Sequence, residues 1–161
     1  MSARPTAWRL PRPLLRIALG AIFVGYGWLK LRDPYAYLKS VHEYGVLDGM
    51  GAMDMPLENL ATIGVPALEI VGGALLALGI WRRGAAAWLA AFLAAFTFAV
   101  FWRSLDPAVD PEQARWWLRA FDCGCGTGEV IVWQKLTMNV VLLLGLVLVG
   151  LRKDPAPAPA T

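Results

Sequence analysis

The chain has 161 residues, 58% hydrophobic and 17% charged, and its apolar residues fall in blocks, which excludes an ordinary soluble domain and leaves one small integral membrane domain. A formal charge of +3, small and dispersed, gives no reason to expect a nucleic-acid partner. Two cysteines are too few for a disulfide framework, so they read as one redox pair or part of a metal site.

Residues 1–13 are basic and lead into an apolar stretch with no small-x-small cleavage site before Lys30, so they read as the flank of an uncleaved first span. Four blocks, 14–29, 60–81, 85–102 and 130–151, have roughly the 17 to 25 residues that a bilayer-crossing helix needs. Arg16, inside the first of them, must snorkel towards its end. Together, residues 14–151 predict an all-α fold, an integral membrane four-helix bundle with short surface helices in its two longer connections. In the first connection, Asp33-Pro34 supplies an N-cap with proline at the first helical position, and Tyr35, Leu38 and Val41 share a face until Gly45. In the second, Asp110-Pro111-Glu112 repeats the device and predicts a surface helix with Trp116, Trp117 and Phe121 at its inserted edge. The tail, 152–161, is rich in proline and alanine and predicts an extended, mobile segment.

Basic residues set the orientation. Arg4, Arg9, Arg12 and Arg16 precede span one, Arg82 and Arg83 join spans two and three, and Arg152 and Lys153 follow span four. The positive-inside rule then puts both termini in the cytoplasm, in a bacterial inner membrane, and both long connections outside. Trp8, Trp81 and Trp88 fall near one membrane boundary and Trp28, Trp102, Trp116, Trp117 and Trp133 near the other, an aromatic belt preferred over a stacked cofactor box.

The chemistry centres on Phe121-Asp122-Cys123-Gly124-Cys125-Gly126-Thr127-Gly128-Glu129. Two cysteines at i and i+2 can pair only if the chain bends, and Gly124 permits the bend. Such a ring closes too short a loop to be a useful staple, and strained disulfides are the more oxidising and exchangeable ones. Arg119, Lys135 and the amino end of the last span would favour a thiolate, Asp122 and Glu129 would oppose it, and N–H groups of Gly126-Thr127-Gly128 leading into the helix would add to the first group. A metal site is the rival, with His42 or a carboxylate as third ligand to zinc, or nearby Met50, Met53 and Met55 for copper; redox is preferred, and the methionines read first as loop filler. Inside the spans, ionisable groups are expensive and face the bundle interior with partners. Glu69, Lys135 and Asn139 lie at compatible depths and predict a buried cluster, capped by Tyr26 and Lys30; its plainest role is a polar clamp on helix packing. Gly72, Gly73 and Ala74 suit close helix contact.

The runs Arg16-Ile17-Ala18-Leu19-Gly20 to Gly27-Trp28-Leu29-Lys30 with Asp33-Pro34, Glu69 before Gly72-Gly73, Asp122-Cys123-Gly124-Cys125-Gly126, and Asn139 before an apolar run resemble the DoxX-like superfamily, and within it the MauE-type methylamine utilisation family. The likeness spans residues 16–151. It implies a four-helix membrane protein tied to thiol redox events outside the cytoplasm. The family prototype is associated with maturation of the disulfide-rich small subunit of methylamine dehydrogenase, and DoxX-like relatives with thiosulfate:quinone oxidoreduction or thiol-stress complexes. Cys123 and Cys125 match the family cysteines, and Lys30, Glu69 and Asn139 its polar positions. Family members often carry phenylalanine and glycine after the second cysteine, where this chain has Gly126-Thr127-Gly128.

The expected function is therefore a membrane thiol-disulfide protein. Cys123 and Cys125 would exchange electrons with a periplasmic thiol partner, quinone would be the one cofactor to consider, and Lys30, Glu69, Lys135 and Asn139 would support the site. The alternatives are a non-catalytic assembly subunit of a larger membrane redox complex and a metal-binding membrane protein.

Overall fold

The computed structural model describes residues 12–45, 51–124 and 128–151. In chain order they form α1 (Arg12–Arg32), α2 (Pro34–Glu43), α3 (Asp54–Leu78), α4 (Arg82–Ser104), a two-stranded hairpin of β1 (Ala120–Asp122) and β2 (Glu129–Ile131), and α5 (Val132–Leu151). The four long helices are each long and apolar enough to cross a bilayer, and the chain is a multi-pass membrane protein. The segments that would settle the fate of the tail and of the basic N-terminus, 152–161 and 1–11, lie outside the described residues.

The α3 span begins six residues before the apolar block. Asp54 occupies its first turn, where a carboxylate complements the helix dipole, and Pro56 sits where a missing N–H breaks no helical bond. Further along, Pro66 is buried inside the same helix. The helix ends at Gly79, whose φ of +78° is the left-handed cap that glycine adopts without a side-chain clash.

Glycines set how closely α1 and α3 approach. A Cβ on Gly20 would stand 2.5 Å from the Gly73 carbonyl oxygen, one on Gly73 would stand 2.7 Å from that of Gly20, and one on Gly27 would stand 2.6 Å from that of Pro66. Pairing 20 with 73 and 27 with 66 makes the helices antiparallel and in backbone contact, the close packing that small residues permit where no water drives association. Gly72 turns the other way, against Leu89 of α4. Beside this pair α4 packs mainly on α5. The apolar core joins all four around Leu19, Leu76, Leu89, Leu142 and Leu146.

One end of the bundle holds the α3–α4 turn, with Arg16, Arg82 and Arg83. Arg16 does snorkel: its guanidinium reaches Gly79 at the end of α3, where cations meet the negative end of the helix dipole. The opposite end carries α2 and the hairpin. Asp33 caps α2 as expected, its Oδ1 accepting from the Ala36 N–H at 2.9 Å. Exposed Trp81 and Trp88 lie towards the first end, and exposed Trp28, Trp102, Trp117 and Trp133 surround the second.

The second connection differs from expectation. No α-helix starts at Asp110-Pro111; the cap-and-proline pair that works is Asp106-Pro107, which opens a single 3-10 turn, Pro107–Val109, and a second such turn covers Trp116–Leu118. Asp110 instead accepts from the Ala120 N–H through Oδ2 at 3.2 Å, and so holds the start of the hairpin.

Candidate functional site

The cysteine turn connects β1 and β2, which pair antiparallel with Ala120 opposite Ile131, Phe121 opposite Val130 and Asp122 opposite Glu129. The turn therefore feeds a strand, not a helix: β2 separates it from α5, so the amino end of α5 does not begin at Gly128 as the glycine run suggested. Asp122 Oδ1 accepts from the Gly124 N–H at 2.9 Å, closing the first half of the turn on itself. Gly124 has φ of +68°, and a Cβ there would stand 2.8 Å from Ser40 Cβ, so both conformation and space require glycine.

The turn is seated on α2. Tyr44, just past its end, donates its hydroxyl to the Cys123 carbonyl at 3.1 Å, and its ring meets Phe121 and Phe96 edge-on. Cys123 is fully buried beneath this layer; Cys125 lies outside the described residues. Arg119 is engaged by the backbone. Its guanidinium is buried and donates to the carbonyls of Ser104 at 2.7 Å and Gln113 at 3.2 Å, tying β1 to the carboxyl end of α4.

Below the turn lies the polar layer. In an antiparallel pair, side chains lean towards opposite ends, so Lys30 near the end of α1 points back down the bundle and Glu69 of α3 points up to it. The Lys30 ammonium meets both carboxylate oxygens, at 2.7 and 2.9 Å, with side chains 3% and 13% exposed. At that burial solvent screens little, and losing either partner strands a charge. The expected cluster thus forms with a different pairing: Lys30, placed in the sequence reading as a cap, is the direct partner of Glu69. Lys135 instead sets its ammonium 5.3 Å from the Tyr26 ring centre and 5.6 Å from that of Phe96, while Lys30 stands 5.5 Å from Phe96 and 5.1 Å from Tyr37. Phe96 therefore contacts two cations.

Asn139, almost fully buried, donates Nδ2 to Thr97 Oγ1 at 3.0 Å, and Thr97 passes its own proton to the Leu93 carbonyl at 2.6 Å. Sequence reasoning missed Thr97, although it is the only hydroxyl residue in block 85–102. It also missed Tyr37, Tyr44 and Phe96, which look like ordinary membrane aromatics until the fold gathers them. His42, weighed as a metal ligand, contacts buried Glu58 through Nδ1 at 3.0 Å, and no group of three or more metal-ligating His, Cys, Asp or Glu side chains forms among the described residues.

Lys30, Glu69, Lys135 and Asn139 all line one cavity of about 220 Å³ between the helix pairs. A second, more open cavity of about 420 Å³ lies under the turn, lined by Asp122, Gly124 and Gly128 and by α2; Lys30 and Tyr37 belong to the walls of both.

The family described as methylamine utilisation protein MauE matches residues 8–111. None of the curated proteins and none of the solved structures compared with the chain matches it. The matched region holds Lys30 and Glu69 and stops before the cysteine turn and α5.

Proposed function

The chain belongs to the family of the methylamine utilisation protein MauE, and from that premise we propose that it is a membrane thiol-disulfide protein that serves the maturation of a disulfide-containing dehydrogenase for methylamine use. Cys123 and Cys125 exchange electrons with a thiol partner outside the cytoplasm. The observation that supports the reading best is the bend between the two cysteines: Gly124 has φ of +68° and no room for a Cβ against Ser40, as a pair at i and i+2 would require. Orientation is supported by charge. Among the described residues, the end with the α3–α4 turn carries Arg16, Arg82 and Arg83 and no carboxylate, as a cytoplasmic face would.

Cys123, being fully buried, is assigned the leaving role in the exchange. A partner thiolate attacks Cys125, the Cys123–Cys125 bond breaks, and Cys123 leaves as a thiolate sheltered under α2. The partner's second thiolate then attacks its own sulfur in the mixed disulfide, closing the partner's disulfide and releasing Cys125. Two electrons pass to the turn, and a dithiol remains there. Lys30, Glu69, Lys135 and Asn139 hold the bundle beneath the turn.

The test is trapping in cells that also make the dehydrogenase. In Cys123→Ser the lone Cys125 thiolate attacks the disulfide of the oxidised partner, releases one partner thiol and has no Cys123 to resolve the bond, so a mixed disulfide should accumulate, seen as a thiol-sensitive adduct on gels and identified by mass spectrometry; Cys125→Ser should give none. Full dehydrogenase maturation with both cysteines changed to serine would instead establish a docking or assembly role without thiol chemistry.

A further inference from the structure

The element that covers Cys123 is lightly fastened. Of the side chains of α2 only Tyr37 and Ser40 are buried, and none of them belongs to the apolar core that joins the four long helices. A crevice of about 420 Å³ already lies between part of α2 and the turn, with Ala36, Tyr37 and Ser40 on one wall and Asp122 and Gly124 on another. Few buried apolar contacts mark an element that opens at low cost.

What fastens the carboxyl end of α2 to the bundle is polar. His42 reaches across to α3, where its Nδ1 stands 3.0 Å from Glu58 Oε1. The two side chains are unequal, that of His42 being 68% exposed and that of Glu58 only 6%. Glu58 sits on a span that does not yield easily, close-packed on α1 through glycines, and its carbonyl accepts from buried Thr62 Oγ1 at 2.8 Å. A buried carboxylate is costly without a donor, so Glu58 draws His42, and α2 with it, against the bundle. The same stretch of chain carries the hold on the cysteine. The His42 carbonyl accepts from the Gly45 N–H at 3.0 Å, which puts His42 and Tyr44 in one turn, and Tyr44 donates to the Cys123 carbonyl. Where His42 sits therefore sets where Tyr44 sits.

We propose that His42 and Glu58 are positioning residues for the thiol exchange: their contact is a latch that holds α2 over Cys123, and its release lets α2 swing about Asp33, the single non-helical residue between α1 and α2, and uncovers the sulfur. The purpose of the latch rests on the thiol reading above; its effect on access to Cys123 does not. Apolar side chains at 42 and 58 would fix the helix for good, whereas a hydrogen bond releases and re-forms without carrying apolar surface into water. The closed cover shields Cys123 from stray thiols, and the open one admits the partner.

The experiment uses the full chain with Cys125→Ser in lipid nanodiscs, so that Cys123 is the only thiol, and follows its alkylation by N-ethylmaleimide at several pH values by intact mass. Adding His42→Ala should raise the rate about tenfold, the effect of losing one hydrogen bond to a charged group, and leave the pH midpoint of thiol ionisation in place. His42→Asn, whose amide N–H stands as many bonds from the backbone as Nδ1, should restore most of the protection, and Glu58→Gln should fall between. An unmoved rate overturns the latch, as does one that changes only through a shifted midpoint, or one that rises in step with a lower unfolding midpoint and is not restored by His42→Asn. Latch variants that behave as expected in a chain whose cysteines form no mixed disulfide with a partner overturn the thiol reading and leave the latch standing; trapping that succeeds while the alkylation rate stays unmoved overturns the latch alone.

Discussion

The two halves of the bundle are built on different principles. The half towards the α3–α4 turn is held by Leu19, Leu76, Leu89, Leu146 and Val149 with the small side chains of Ala85 and Ala86, all buried and none able to ionise. The half towards the hairpin contains an ion pair, a second ammonium against aromatic rings, and an amide-hydroxyl link. Within a bilayer the first arrangement is the inexpensive one, because van der Waals packing needs no compensation for desolvated charge. Charged side chains retained beneath a cysteine turn therefore point to a task there, and the apolar half reads as the support that keeps them in register.

The comparison breaks most sharply at the ion pair. Glu69→Leu strands the Lys30 ammonium and should destabilise the folded protein by about 3–5 kcal/mol, whereas Lys30→Met with Glu69→Leu should recover most of that loss. Unfolding in graded denaturing detergent measures both. If the single and double variants are equally unstable, the pair is not what holds this layer. A smaller loss is expected where the helices touch: Gly73→Val forces a side chain against the Gly20 carbonyl and should cost about 1–3 kcal/mol by overpacking, with the α1–α3 pair separating first. Smallest is Tyr44→Phe, which removes one hydrogen bond to the turn. It should cost about 1 kcal/mol and raise the rate at which Cys123 is alkylated, leaving the apolar half unaltered. An unchanged alkylation rate would mean that Tyr44 does not hold the turn closed.

The apolar half was legible in the sequence because block length and composition are additive properties that need no partner. The four spans and the glycines of α3 could be read one residue at a time, and so, at the hairpin end, could the Asp33 cap. The polar half was legible in its membership and not in its pairing. Depth along a helix put Glu69, Lys135 and Asn139 together, but whether Lys30 or Lys135 meets the carboxylate depends on helix direction and rotation, which block lengths do not carry. The hairpin was hidden for a related reason. Strands of three residues are too short to show alternation, and Asp110-Pro111 and Asp106-Pro107 look alike until Asp110 is seen to be occupied by Ala120.

The central claim is that Cys123 and Cys125 cycle between dithiol and disulfide, and it is tested most directly by alkylating the membrane-embedded protein across a series of dithiol redox buffers and weighing it intact. A pair that works should pass from doubly alkylated to unalkylated in one two-electron transition, with the singly alkylated form scarce throughout. A protein that keeps the same alkylation state across the whole series, or loses the two thiols in separate steps, would contradict the claim.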